Sequence, residues 1–163
     1  MKGLSGRCVG CVITTALAAA GSGCEGPAAA PAPRVTINGR SWRVEVATTS
    51  DGRYRGLSDR ESLDANAGML FVYPTPDVLD FCMRQCLIPL DIAFIDADLR
   101  VVKTWTMAVE PYGFARRTYS SVVPAQYALE VNAGSLAAAG VKVGDKVEFS
   151  SNVPPAAKAQ ADP

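Results

Sequence analysis

Residues 35–47 read V-T-I-N-G-R-S-W-R-V-E-V-A, apolar and polar side chains alternating about an Asn-Gly pair, and this commits the chain to β structure. A period of two places successive side chains on opposite faces of a strand, and Asn-Gly supplies the positive backbone φ that a two-residue hairpin turn needs. Pairing Val35 with Trp42 across Asn38-Gly39 sets Val35, Trp42, Val44 and Val46 on one face and turns Arg43 and Glu45 to water.

The same period recurs downstream. Residues 68–73, 79–83, 90–96 and 99–108 are rich in β-branched and aromatic side chains and predict four strands, the last two joined by Asp96-Ala97-Asp98. A further strand is expected at 126–132, then one helical turn at 135–139 stopped by Gly140, and a closing strand pair in V-K-V-G-D-K-V-E-F. Ser50-Asp51 is placed to cap a short helix ending near Gly56, and Gly68, Gly134 and Gly144 read as turn glycines. With 163 residues and 48% hydrophobic content there is material for one core. The expectation is a mainly β, compact single domain over 34–151, barrel-like or a sandwich, with one or two short helices.

The two ends differ from this middle. Lys2 and Arg7 precede an apolar run over 8–20 that is too short to cross ~30 Å of hydrocarbon, so residues 1–23 read as an export signal. Gly21-Ser22-Gly23-Cys24 resembles a bacterial lipoprotein processing site, which predicts an acylated Cys24 holding the chain at a membrane, facing periplasm or cell exterior. Gly21 stands where such sites usually carry Leu, so ordinary cleavage after Ala18-Ala19-Ala20 is the alternative. Each buried methylene of an acyl anchor contributes about 0.8 kcal/mol. Residues 24–33 form a Pro/Ala spacer, and 152–163 share that character without any apolar period, which predicts a frayed tail.

Charge and composition exclude several classes. Lys plus Arg equal Asp plus Glu at 16 each, so no basic excess points to nucleic acid. The chain has no His, which removes imidazole-based triads and the commonest metal ligand. No motif implies a cofactor.

Four segments, G-L-S-D-R-E-S-L, G-M-L-F-V-Y, F-C-M-R-Q-C-L-I-P-L-D-I-A-F-I-D and Y-A-L-E-V-N-A-G, follow in an order and spacing that resemble the domain of unknown function 192 family, over about residues 42–149. The resemblance implies a small β-barrel-like domain, often behind an export signal, and no activity. Two departures stand out. Ser58 replaces the usual Met after Gly-Leu, and Cys82-Met83-Arg84-Gln85-Cys86 replaces Trp-Met-Lys-Asn-Thr.

Cys82 and Cys86 are the thiols left free once the signal is removed and Cys24 is lipidated. An exported compartment favours a disulfide between them. Four steps of straight strand separate Cα atoms by about 13 Å, beyond the ~7 Å limit for a bridge, so the pairing requires a bend. The alternatives are soft-metal binding by Cys82, Met83 and Cys86, and thiol exchange. Asp91 and Glu130 are carboxylates inside apolar strands. Each is expected either to be satisfied locally, Asp91 by backbone amides or by Arg60 or Arg84, or to join the other as an acid and base in one cleft. Arg55 and Arg60 bracket Gly56-Leu57 and are placed to clamp an anion or to lie solvated.

The sequence assembles no nucleophile with a base. The leading expectation is therefore a non-enzymatic binding module of the cell envelope, for a partner protein or small ligand. Thiol or metal chemistry at Cys82 and Cys86, or a carboxylate enzyme at Asp91 and Glu130, are the alternatives.

Overall fold

A computed structural model describes residues 31–114 and 116–162. The residues predicted as an export signal, Cys24 and the predicted spacer up to residue 30 lie outside the described residues. Nine strands and two short helices follow in the order β1 (Arg34–Ile37), β2 (Arg40–Ala47), α1 (Ser50–Arg55), β3 (Ala67–Asp77), β4 (Asp80–Phe81), β5 (Leu90–Ile95), β6 (Val101–Met107), β7 (Tyr119–Ser120), β8 (Ala125–Asn132), α2 (Ser135–Ala138) and β9 (Val147–Phe149). A single 3-10 turn covers Ala156–Lys158.

The hairpin forms in the register its turn dictates, with Val35 opposite Trp42 and positive φ at Asn38 and Gly39. Val35, Trp42 and Val44 are buried. α1 ends at Gly56, and its N-cap is Thr49, whose Oγ1 accepts from the Gly52 amide at 3.1 Å. The segment predicted as a strand over 79–83 shortens to β4, which pairs with β7 in a separate two-stranded ribbon. Of the predicted closing strand pair, only β9 forms.

Seven strands make one curled half-barrel sheet in the order β6-β5-β8-β3-β2-β1-β9. β2 and β3 run parallel, a crossover carried by α1 and the loop after it, and the other pairs are antiparallel. The two edges approach at one corner, where Arg100 bridges Lys146 and the Val101 amide donates to the Asp145 carbonyl at 2.9 Å. That corner makes the fold barrel-like rather than a sandwich of two sheets. It also blunts the free edges that invite pairing with other chains.

Side chains divide between the two faces of the sheet. Trp42, Val44, Leu70, Val72, Ala93, Ile95, Leu129, Val131 and Leu136 pack on one face. Phe71, Ile92, Phe94, Met107 and Ala128 pack on the other, together with Leu57 and Met83 from the loops that cover it. β5, at the junction, is buried along its whole length, as its unbroken apolar run predicts. Gly68 has no positive φ, so its role is not that of a turn. A Cβ there would lie 2.5 Å from the Glu130 carbonyl oxygen, and only glycine lets β3 and β8 approach so closely.

The predicted frayed tail is instead docked. Val153, Ala156 and Ala159 pack against the core, and the Gln160 amide donates to the Thr48 carbonyl at 2.7 Å. Its Pro/Ala composition hides these contacts because they run through scattered small side chains and backbone groups rather than an apolar stripe.

Candidate functional site

A cavity of about 480 Å³ opens between α1, the sheet and the loop after β4. The sheet contributes Phe71 and Tyr73 from β3 and Glu130 from β8, while the covering elements contribute Leu57, Phe81, Cys82 and Cys86. Phe81 meets Phe71 edge-on at 4.9 Å between ring centroids and Phe94 at 5.5 Å, so the aromatic wall is braced from behind.

Glu130 is the buried acid of the cavity. Its side chain points to the face it shares with its cross-strand partners Met69 and Ile92, and only 4% of the residue is exposed. No described residue donates a hydrogen bond to the carboxyl, and no cation sits against it. Burial alone pushes its pKa up to about 8, so the group is protonated near neutral pH. Burial, with the charge of Glu130 adding to it, pushes the Cys86 thiol up to about 12, and burial does the same for the Tyr73 hydroxyl.

Arg53 holds the side of the cavity next to the tail. The guanidinium donates to the carbonyls of Thr48 at 3.1 Å, Val72 at 3.0 Å and Gln160 at 2.6 Å, and to Asp162 Oδ1 at 2.6 Å. It also lies 4.7 Å over the Tyr73 ring. At the mouth, Arg84 stacks on Tyr54 at 3.7 Å and donates to the Tyr54 carbonyl at 3.0 Å. Ser58, one of the departures from the family pattern, donates from Oγ to the Arg84 carbonyl at 3.3 Å and ties α1's trailing loop to this turn.

The sequence candidates separate in space. Asp91 and Glu130 do not form an acid–base pair: Asp91 lies opposite Val131 and Glu130 opposite Ile92, so their side chains leave opposite faces of the sheet. Asp91 is satisfied locally, accepting from Thr106 Oγ1 at 2.7 Å and from the Leu136 amide at 3.0 Å, and neither Arg60 nor Arg84 reaches it. The Arg55–Arg60 clamp does not form either. Arg60 is taken up by a two-pronged ion pair to Glu45, 2.6 Å on each prong, while Arg55 stands at the cavity wall. The Glu45 carboxylate raises the Arg60 pKa through that hydrogen bond.

Cys82 and Cys86 are free thiols, not a disulfide. The chain does bend between them, through a turn with positive φ at Gln85 closed by the Cys86 amide on the Met83 carbonyl at 3.3 Å. That turn leaves Cys82 exposed and Cys86 buried, each on the cavity wall, while Met83 is packed in the core and does not line it. Among the described residues no group of three or more Cys, Asp or Glu side chains is placed to hold a metal ion.

Arg53, Tyr73, Phe81 and Leu57 were not singled out from the sequence. α1 has six residues, too few for a helical period to mark which side chain turns inward.

The site is thus a cavity of a curled β domain, lined by aromatic rings and arginines and holding the buried acid Glu130. The chain belongs to the domain of unknown function 192 family: its model DUF192, described as an uncharacterised ACR, matches residues 33–149. A similar solved structure is a protein of unknown function from Novosphingobium aromaticivorans DSM 12444, with 37% identity and a TM-score of 0.65, covering 71% of this chain and 83% of that one. Another is a candidate transcription regulator from Sinorhizobium meliloti 1021, with 27% identity and a TM-score of 0.62, covering 72% and 91% respectively. No functionally curated protein matches the chain.

Proposed function

We propose that this domain is a non-enzymatic binding module of the cell envelope that takes a small molecule into the cavity beneath α1. The observation that carries the reading is the cavity itself. It is within the roughly 300–1,000 Å³ of small-molecule sites, combines the aromatic rings of Tyr54, Phe71, Tyr73 and Phe81 with charged side chains at its wall and mouth, and contains a buried carboxyl, Glu130, to which no described residue donates. A satisfied core would not retain such a carboxyl without cost. The signal-like residues 1–23 and Gly21-Ser22-Gly23-Cys24 support export and a lipid anchor on Cys24.

A fragment set titrated onto the mature chain and read by amide chemical shifts tests the binding half. Hits are expected to move residues 50–56, Tyr73 and the 82–86 turn together. Hits that scatter over the surface, or none at millimolar fragment, overturn it. Globomycin treatment or Cys24→Ala is expected to leave an unprocessed or untethered chain, and unchanged membrane partitioning of Cys24→Ala overturns the anchor.

A further inference from the structure

The geometry points to a ligand class for this cavity: an organic cation, a protonated amine on an apolar or aromatic body, whose ammonium group pairs with Glu130 between Phe71, Tyr73 and Phe81. The inference rests on the binding-module reading above.

Three observations lead to it. First, Glu130 is 96% removed from solvent by its 4% exposure, borders the cavity, and takes no hydrogen bond and no ion pair from any described residue. The other fully enclosed carboxylate, Asp91, has both oxygens engaged, so the lack of partners is particular to the cavity side of the sheet. Second, the terminal nitrogens of Arg53 are directed away from Glu130, to three carbonyls and Asp162, and only its Nε is left without a partner. Arg53, Arg55 and Arg84 stand on the wall and mouth of the cavity, and none of them makes an ion pair or hydrogen bond with Glu130, so the acid itself has no counter-charge against it. Third, Phe71, Tyr73 and Phe81 line the cavity with Glu130, and aromatic rings present a negative face that attracts ammonium groups within about 6 Å of the centroid, as Tyr73 already does for Arg53 at 4.7 Å.

Pairing changes the protonation of Glu130. The carboxylic acid gives its proton to solvent, the carboxylate forms, and the incoming ammonium keeps all its protons, so one proton is released for each amine bound. Tyr73 of β3 and Cys86 of the covering loop are the groups that feel the Glu130 charge, and both are held protonated. The Arg53–Asp162 pair stands behind Tyr73, and Cys82 shares the wall.

The test titrates the untagged mature chain with 2-phenylethylamine, 2-phenylethanol and 3-phenylpropanoate. The amine is expected to bind at least about ten-fold tighter than the alcohol, with the carboxylate weakest. Its affinity is expected to rise by roughly twenty-fold from pH 6.5 to 8.5 as the competing proton leaves Glu130. In Glu130→Gln the preference for amine over alcohol and the pH dependence should both vanish. Equal binding of amine and alcohol to the wild-type chain overturns the cation inference while leaving the cavity reading intact. No binding of any probe, with none from the fragment set, overturns both. The three-probe comparison on wild type decides the matter even if the variant folds poorly.

Discussion

Asp91 and Glu130 lie on neighbouring strands one position out of register, so the two buried acids occupy opposite faces of a single sheet. The strand pairing gives them different surroundings and therefore different physical roles. Asp91 is held by donors from α2 and β6, whereas Glu130 borders the cavity and takes no hydrogen bond from a described residue.

Asp91→Ala is expected to cost about 3 kcal/mol of stability, because it strands the Leu136 amide and the Thr106 hydroxyl in a buried site. Asp91→Asn keeps an acceptor and should cost about half as much. Urea unfolding of the three chains, compared at equal slope, measures both.

Glu130 should make the fold less stable as pH rises. Its folded-state pKa of about 8 lies above the ordinary 4.5, so the native chain holds a proton that the unfolded chain has lost between those values. The stability is fully present below about pH 4.5, declines through the window and levels off above pH 8. The total loss is on the order of a few kcal/mol. Thermal melts from pH 5 to 8.5 should show that decline in the wild-type chain relative to Glu130→Gln, and parallel curves would contradict the assignment.

The two thiols should react at very different rates. Cys82 is exposed, while Cys86 is buried with its pKa pushed up to about 12, which leaves little thiolate. Iodoacetamide at pH 8 is expected to add one carbamidomethyl group quickly and the second only on unfolding, as read by intact mass. A native chain two hydrogens lighter than its reduced form would mean a disulfide instead.

The tail should matter more through its backbone than through its last side chain. Truncation after Pro155 removes the Gln160 carbonyl and Asp162 from Arg53, whose guanidinium is enclosed, and should cost about 3 kcal/mol. Asp162→Ala removes a carboxylate that is itself half exposed and should cost less than about 1 kcal/mol. Denaturant midpoints of the two variants separate these cases.

Local signals made much of this fold legible. Asn38-Gly39 fixes the β1–β2 register because a two-residue turn leaves no freedom, and the unbroken apolar run of β5 announces burial on both faces. Nonlocal facts were not legible. Which face Glu130 takes relative to Asp91 depends on how β8 pairs with β5 across two intervening strands and their loops, and one residue of slip would reverse it. The turn at Gln85 carries no Gly or Asn to advertise its positive φ, so nothing in Cys82-Met83-Arg84-Gln85-Cys86 says which way each thiol points. The docking of the tail depends on Arg53, a residue whose burial no composition suggests.

Because Arg53 joins residues 160–162 to the cavity wall, any affinity tag fused directly after that segment would hang within a residue or two of the cavity. A C-terminal fusion used for purification could load, crowd or unlatch the cavity on its own. Ligand profiles gathered with such a handle would then report the handle as much as the protein.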